Sequence, residues 1–423
     1  MSSKVWSGGF SIFTTAADGT ISKITICDKD YTTLNSFKEY IATRYTNGNP
    51  VIVVYQLKTP TAETVQEQTI TNQRGPTVFE ITKASLNNLS LQVDYKDVED
   101  TLDYLSFTAT AANSSIKIKN VGSPTAINVK YSWNRSVWFL YTIGDNISIP
   151  NGDTVYLATS DNIVRTRLSN SGSNYYQFVM TGTINSDGNI MSLLDKSCAS
   201  STVGTRCFFN LFRDCTVLKK PPKLPAMTLG TYCYYQMFYN TGITTAPVLP
   251  ALIMNDYCYA SMFYACKFTV GPSLPSTELA TRCYSYMFTN CTNMTTPPEL
   301  PATVLKQECY QQMFYQCYGL TSFPRLQFTT MATGCFTYMF QSCSYITAYH
   351  LSSLNASGNT FYGNSRCTSL TIDAVEPPTI GSNTITGLKS DCIIYVPAES
   401  VDAYKAKQYW SARASYIQAI PSV

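Results

Sequence analysis

The segment CYASMFYAC, from Cys258 to Cys266, decides how this chain folds, because variants of it recur along the sequence. Six copies between Cys207 and Cys343 each have a cysteine-aromatic pair, a Met-Phe pair four residues later (Leu-Phe in the first copy) and usually a second cysteine. Successive first cysteines are 26, 25, 25, 26 and 26 residues apart. A fixed period of this size is typical of a solenoid, in which repeats stack on one another.

The spacing inside each copy predicts a short amphipathic helix. At roughly 100° per residue, positions 0, 4, 8, 1 and 5 of the copy fall within a single stripe about 140° wide. That stripe holds the cysteines, the methionine and the aromatic residues, so we expect it to be buried against neighbouring repeats. The core predicted in this way comprises Cys233, Met237, Phe238, Cys258, Met262, Phe263, Cys283, Met287, Phe288, Cys309, Met313 and Phe314.

The linkers between copies are also regular. Each contains Leu-Pro followed by a small residue, as at Leu224-Pro225-Ala226 and Leu274-Pro275-Ser276. The proline density limits any strand to about three or four residues, because proline cannot donate a hydrogen bond to a strand ladder. The repeat is therefore predicted to consist of a short strand, a Leu-Pro turn and a helix, with the strands stacked in a narrow parallel sheet.

The fifteen cysteines permit three interpretations, namely disulfides, metal sites or small buried apolar residues. Cysteines eight residues apart on a helix lie roughly 12 Å apart along the axis, beyond the reach of a disulfide. There is no Cys-x-x-Cys pair, and His350 is the single histidine. Thr241 replaces the second cysteine of one copy, so a residue without a thiol fits there. We expect free, buried thiols, no metal site and no cofactor.

The whole chain is predicted to be an α+β multidomain protein. Residues 1–90 would form a small mixed α/β attachment module, with a strand over Thr20 to Cys27, a helix over Thr33 to Thr46 and a strand over Val51 to Tyr55. Residues 91–185 have short strands about ten residues apart, typical of a β-sandwich. Residues 186–375 would form the leucine-rich-repeat-like α/β solenoid. Residues 376–423 would cap it with a strand over Ile393 to Pro397 and a helix over Ala398 to Gln408.

Composition excludes some classes of function. The 423 residues carry a formal net charge of +3, which gives no basic surface for nucleic acid. No apolar run is long enough for a transmembrane helix, so we expect no membrane insertion. The first ten residues lack the apolar region of a signal peptide, and free thiols suit a reducing compartment. Synthesis in the cytoplasm is the expectation.

These motifs resemble a known group of proteins. The Cys-Tyr-x-x-Met-Phe repeat is similar to leucine-rich-repeat-like units in surface proteins of gut bacteria and in proteins of their phages. The resemblance covers about residues 110 to 423 and includes the ending Ile394-Tyr-Val-Pro-Ala-Glu-Ser-Val-Asp-Ala-Tyr404. Asn49 to Leu57 more weakly resembles attachment regions of tail or baseplate proteins. The resemblance implies a virion protein that joins tail or baseplate proteins through its N-terminal module. By analogy with tail fibres it would be a homo-oligomer, namely a trimer.

Three functions remain open at this point. The first is a phage tail-fibre or baseplate-associated receptor-binding protein, located in the virion tail, whose solenoid recognises a host surface glycan or protein. The second is a bacterial adhesin of the same repeat family, which would need export. The third is a glycan hydrolase, which we do not expect because no catalytic motif or repeated carboxylate pair occurs. Candidate binding residues are the tyrosines predicted on the polar helix face, Tyr239, Tyr264, Tyr286, Tyr315 and Tyr338. The alternative is that these rings only cover neighbouring repeats.

Overall fold

A computed structural model describes residues 102–422, except 136, 163 and 355–357, and the backbone of six strands before residue 101. The chain divides into two compact units, 1–101 with 132–139, and 102–131 with 140–423. In the first part of the chain β1, β2 and β3 form one antiparallel sheet, and β4 pairs with both β5 and β6 in another. Their bounds are β1 Ile12–Thr15, β2 Ile21–Ile26, β3 Lys29–Tyr31, β4 Val51–Thr59, β5 Ala62–Ile70 and β6 Leu89–Gln92. The helix predicted over Thr33 to Thr46 lies outside the described residues, and the mixed α/β module is not supported.

Two β-sheets follow. One has the strand order β10-β9-β12-β7-β14-β16, in which β16 is Leu218–Lys220 of the first coil, and the other has the order β11-β8-β13. Phe107 of the first and Phe178 of the second are in contact, with ring centroids 5.1 Å apart, so the two sheets pack against each other. The strands are β7 Leu105–Ala109, β8 Ser114–Val121, β9 Val129–Ser132, β10 Trp138–Tyr141, β11 Ile147–Ile149, β12 Thr154–Thr159, β13 Tyr175–Thr181 and β14 Ile184–Asp187.

The repeats form a β-solenoid of about nine turns with little helix. The predicted solenoid is therefore confirmed, whereas the predicted helix in each repeat is wrong. The α+β class fails for the same reason. Where the helix was expected, each coil instead makes a ribbon of consecutive tight turns that runs beside the ribbons of its neighbours.

Backbone hydrogen bonds show how the ribbon is built. In the copy beginning at Cys233, the N–H of Met237 donates to the carbonyl of Tyr234, three residues back, at 3.1 Å. The next N–H, of Phe238, instead donates to the carbonyl of Met262 in the following coil at 3.0 Å. The same alternation recurs in neighbouring copies. Half of the amides close local turns and half join coils, which an α-helix, bonded only within itself, cannot do.

Every fourth residue of the ribbon has a positive φ. In the copy from Cys258 these are Tyr257, Ser261 and Ala265, with φ of 57°, 55° and 59°. Equivalent residues with a positive φ occur in all six copies, from Arg206 to Ser342. The left-handed conformation costs roughly 1–2 kcal/mol for a residue with a Cβ, so the cross-coil ladder and core must offset it. The repeat therefore has a true period of four rather than 3.6.

On the side opposite the turn ribbon, short parallel strands join neighbouring coils, as the sequence predicted from the density of prolines. The strands involved are β15 Thr202–Val203 with β17 Thr228–Leu229, β18 Val304–Leu305 with β19 Thr330–Met331, and β16 Leu218–Lys220 with β14. Single parallel bridges such as Val270 with Thr296 continue the ladder between other coils. The leucine of each Leu-Pro pair is buried, from Leu224 to Leu300, and closes the core on this side.

Aromatic columns run along the solenoid axis. The phenylalanines of the Met-Phe pairs stack coil on coil, with centroid separations of 5.4 Å between Phe212 and Phe238 and 5.8 Å between Phe238 and Phe263. A second column contains Phe208, Tyr234, Tyr259, Tyr284, Tyr310 and Phe336. Stacked pairs of this kind add about 0.5–1.5 kcal/mol each beyond the burial of their area.

The sandwich and the solenoid share one core. Phe178 of β13 stacks on Phe212 of the first coil at 5.0 Å and 10°, in line with the phenylalanine column. The N–H of Phe178 donates to the carbonyl of Leu211 at 2.7 Å, and the Cys215 thiol donates to the carbonyl of Phe178 at 3.3 Å. Strand β13 thus serves as the layer on which the first coil packs.

The last coils close with a parallel sheet of four strands, in the order β20-β21-β22-β23. Trp410 and Ile417 are buried there and Tyr416 is half-buried, where the sequence predicted a seal over the final layer. The elements are β20 Ala348–Leu351, β21 Ser369–Ile372, β22 Ile393–Val396, β23 Ile417–Ala419, helix α1 Val401–Ala406, and 3-10 turns over Ile190–Leu193, Ala398–Ser400 and Ser411–Tyr416. Helix α1 with its preceding turn is shorter than predicted.

Glycine substitutions distinguish the turn ribbon from a helix. Ala265→Gly relieves a left-handed alanine and is expected to stabilise the protein by about 0.5–1 kcal/mol. Ala260→Gly, at a buried position without positive φ, is expected to destabilise by about 1 kcal/mol or more. Urea denaturation of the two variants and the parent measures both effects. A helical repeat would be destabilised by both substitutions, so a loss of stability in Ala265→Gly contradicts the ribbon.

Candidate ligand-binding surface

The predicted core residues all lie inside the solenoid, each with 0% exposure. Their sulfurs have a structural use at the end of each ribbon. The second cysteine of a repeat donates its S–H to the carbonyl of the Met-Phe phenylalanine one coil back, as Cys291 does to Phe263 and Cys317 to Phe288, both at 3.0 Å. Thr241 fits the same place because its hydroxyl is also a small donor, although it bonds within its own coil, to the carbonyl of Phe238 at 3.0 Å.

Burial makes these thiols poor nucleophiles. Loss of solvation raises the pKa of Cys215, Cys266 and Cys343 to about 12, so the thiolate is scarce at neutral pH. In the described part of the chain no group of three or more His, Cys, Asp or Glu side chains is placed to hold a metal ion. The arrangement of the repeat sulfurs thus serves packing and hydrogen bonding.

Thiol labelling tests this burial. Iodoacetamide at neutral pH is expected to modify half-buried Cys198 well before Cys258 and Cys291 of the repeats, because these two thiols are enclosed and burial raises their pKa. A Cys27→Ser variant removes the cysteine that lies outside the described residues. Peptide mapping by mass spectrometry gives the order of modification, and guanidinium chloride should make all sites react. Rapid labelling of Cys258 or Cys291 in the folded protein would contradict the packing.

The five candidate tyrosines are all half-buried on the outer side of the turn ribbons. The structure places them in two columns rather than one. Tyr239, Tyr264 and Tyr315 occupy one position of the repeat, with Thr289 between the last two. Tyr286 and Tyr338 lie three residues earlier in the repeat, with Gln312 between them. Only Tyr239 and Tyr264 form a stacked pair within this set, at 4.4 Å and 11°.

Arginine extends that tyrosine stack. The guanidinium of Arg213 lies over the ring of Tyr239, 4.4 Å from its centroid, and also donates to Gln236 and to Asp214. Partial burial raises the pKa of Tyr264, and the neighbouring Tyr239 adds to the effect. The resulting surface is a rigid stack of planar groups with hydroxyls and a cation at its edge.

A second stack was missed by the sequence interpretation. Tyr232 and Tyr257, which directly precede the first cysteine of their copies, stack at 4.4 Å and 11°. Arg206 lies over Tyr232 at 4.8 Å, and Arg282 donates to the Tyr257 hydroxyl at 2.6 Å while pairing with Glu308. The signal was present in the alternation of Arg and Tyr before the cysteines. The helix predicted in each copy began at the first cysteine, so this position lay outside it.

A third aromatic group lies at the start of the solenoid. Phe209 stacks on Tyr235 at 5.0 Å, and the ring of Tyr175 meets Phe209 edge-on at 5.4 Å. A cleft of about 460 Å³ lies beside this group and is lined by Lys119, Gln177 and Arg213 among others. Aromatic faces next to polar and charged groups are the usual composition of a site that binds a polar ligand.

The single histidine is part of a surface ion-pair cluster. His350 Nε2 and Arg325 NH2 each lie 2.8 Å from an oxygen of the Asp373 carboxylate. Partial burial by itself would raise the pKa of Asp373, but the hydrogen bonds from His350 and Arg325 outweigh it and hold that pKa below its usual value. The three residues come from three successive coils, so the cluster ties those coils together laterally.

The cluster predicts a pH-dependent stability difference. Because the folded-state pKa of Asp373 is lowered, its contribution is complete above the unfolded-state pKa, about 4, and is lost as pH falls. Asp373→Asn should lower stability at neutral pH, by less than about 1 kcal/mol since the cluster is partly exposed. The difference should shrink in acid. Urea melts at neutral and acidic pH measure it, with Asp153→Asn, at an exposed residue, as the control. An equal deficit at both pH values would exclude the ion pair as its cause.

The fold and these surfaces define a β-solenoid with an aromatic and arginine-bearing outer face. The chain matches no family model, and no curated protein matches it. No helix in the described part of the chain is long and apolar enough to cross a membrane.

Proposed function

We propose that this chain is a receptor-binding protein of a phage tail, a structural component of the virion that recognises the host cell surface through its solenoid and performs no catalysis. The observation that carries the proposal is the row of stacked tyrosines and arginines on the outer face, with Tyr239 and Tyr264 at its centre. The resemblance of the repeat to units in phage proteins favours the virion over other settings.

The physical argument concerns preorganisation. Stacking between coils and the contact with Arg213 already restrict the rotamers of Tyr239 and Tyr264, so little side-chain entropy remains to be lost on binding. Tyrosine presents a planar apolar face together with a hydroxyl, which suits both sugar rings and protein surfaces. Repetition along the axis multiplies weak contacts. A scaffold of this kind binds through shape and does not need a reactive group.

Binding measurements on host cells and glycan arrays test the recognition step. The Tyr239→Ala/Tyr264→Ala variant is expected to bind at least about tenfold more weakly, since each ring of a binding site contributes about 1 kcal/mol or more. Thr244→Ala/Thr269→Ala is the matched control, because both threonines are exposed and lie outside the turn ribbons of the same two coils. Thermal melts show whether the variants remain folded. Equal binding by the tyrosine variant and the parent would remove this face as the site.

Localisation is tested separately. Antibodies against the chain should label the tails of purified phage particles and block attachment to the host. The N-terminal module would then join other tail or baseplate proteins, and light scattering of the purified chain would give its oligomeric state. Detection of the chain only in a bacterial envelope would favour the adhesin instead.

A further inference from the structure

The cleft at the start of the solenoid has a defined floor. It lies beside β13, and its lining includes Phe178 and Cys215, which the bonds from Phe178 to Leu211 and from Cys215 to Phe178 hold in place. Its volume of about 460 Å³ is within the range of small-ligand sites, roughly 300–1,000 Å³. The floor is therefore rigid and the space sufficient for a small polar ligand.

The charges that line the cleft do not cancel. Asp214 is engaged on both oxygens, accepting from Asn240 at 2.9 Å and from Arg213 at 3.4 Å. Lys119 reaches the cleft from β8 and forms no ion pair with any described residue. Two cations thus face one carboxylate that is already satisfied. The excess positive charge in a partly enclosed space attracts an anion.

The guanidinium of Arg213 is held in a fixed orientation beside the cleft. Its guanidinium rests on the Tyr239 ring and donates to Gln236, while its backbone carbonyl accepts a 2.6 Å hydrogen bond from the Gln177 amide. A planar, oriented guanidinium suits a carboxylate better than a mobile ammonium does. Tyr175 also lines the cleft and offers an aromatic ring next to Phe209.

We propose that this cleft binds an acidic sugar, with the carboxylate between Lys119 and Arg213 and the apolar face of the sugar ring against Tyr175. The inference rests on the proposed recognition of the host surface and names the ligand class that one site of that surface takes. A neutral sugar would leave the excess positive charge without a partner. A carboxylated sugar, such as a sialic or uronic acid residue, satisfies it.

Calorimetric titration of the full chain with 3′-sialyllactose, a glucuronic-acid-terminated oligosaccharide and lactose tests the inference. At least one acidic probe should bind more tightly than lactose, and salt should weaken its binding. Lys119→Gln should weaken acidic-probe binding about tenfold, the usual effect of losing one charge-assisted hydrogen bond. Arg366→Gln is the matched control, because Arg366 lies 4.1 Å over the Tyr345 ring away from the cleft. This control should bind like the parent.

The outcomes separate the inference from the function beneath it. If the parent binds host cells but neither acidic probe, or if Lys119→Gln binds these probes as tightly as the parent, the acidic-sugar site is wrong and the recognition surface stands. If the parent binds no cell and no glycan at all, both fail. Lys119→Gln is the decisive variant, since Lys119 forms no ion pair whose loss would unfold the described part of the chain.

Discussion

The left-handed residue at every fourth position of the turn ribbon is the constraint on which the solenoid depends. Each such residue donates its own N–H to the next coil, as Ser261 does to the carbonyl of Ser285, and the N–H that follows it closes a tight turn within the coil, as Met262 does to Tyr259. Side chains four residues apart then point the same way, which brings Cys, Met and Cys into one row and the aromatic pairs into others. Without that backbone geometry neither the columns nor the cross-coil hydrogen bonds could exist.

The stacked aromatic columns offset the backbone strain in the turn ribbon. Non-glycine residues in the left-handed region are costly, and this chain uses Tyr, Gln, Arg and Glu there as well as Asn and Asp. What offsets the cost is cooperative. Each of the six copies contributes a stacked phenylalanine, a buried methionine or leucine and, in most copies, a thiol that bonds to the previous layer, as Cys291 and Cys317 do. The outer tyrosine and arginine stacks have the same coil-to-coil spacing as the core columns, so the packing of the core sets the geometry of the proposed binding face.

The sequence was sufficient for the repeat period, the buried positions, the sandwich strands and the parallel pairing, because all of these follow from local hydrophobic spacing. It was insufficient for the conformation of the repeat. Over nine residues, buried positions 0, 1, 4, 5 and 8 fit a helix and a period-four ribbon almost equally well. The deciding information is the pairing of amides with residues about 25 positions away, which no local pattern contains. Asn210, Asp214, Asn240 and Asn290 in left-handed positions were the available hint. The tyrosine columns were misjudged for the same reason, and the cleft arises only where two elements meet.

The stacking of Phe178 on Phe212 makes the two ends of the solenoid unequal. At this end the first coil packs on strand β13 of the sandwich, which already presents the aromatic ring and the carbonyl of Phe178. Coils further along have only the preceding coil as a template, and stability in such an array spreads by nearest-neighbour contacts. Folding of the solenoid should therefore proceed coil by coil from the sandwich outward. Local unfolding should begin at the coils farthest from the sandwich. The coils beside the cleft would be the last to open.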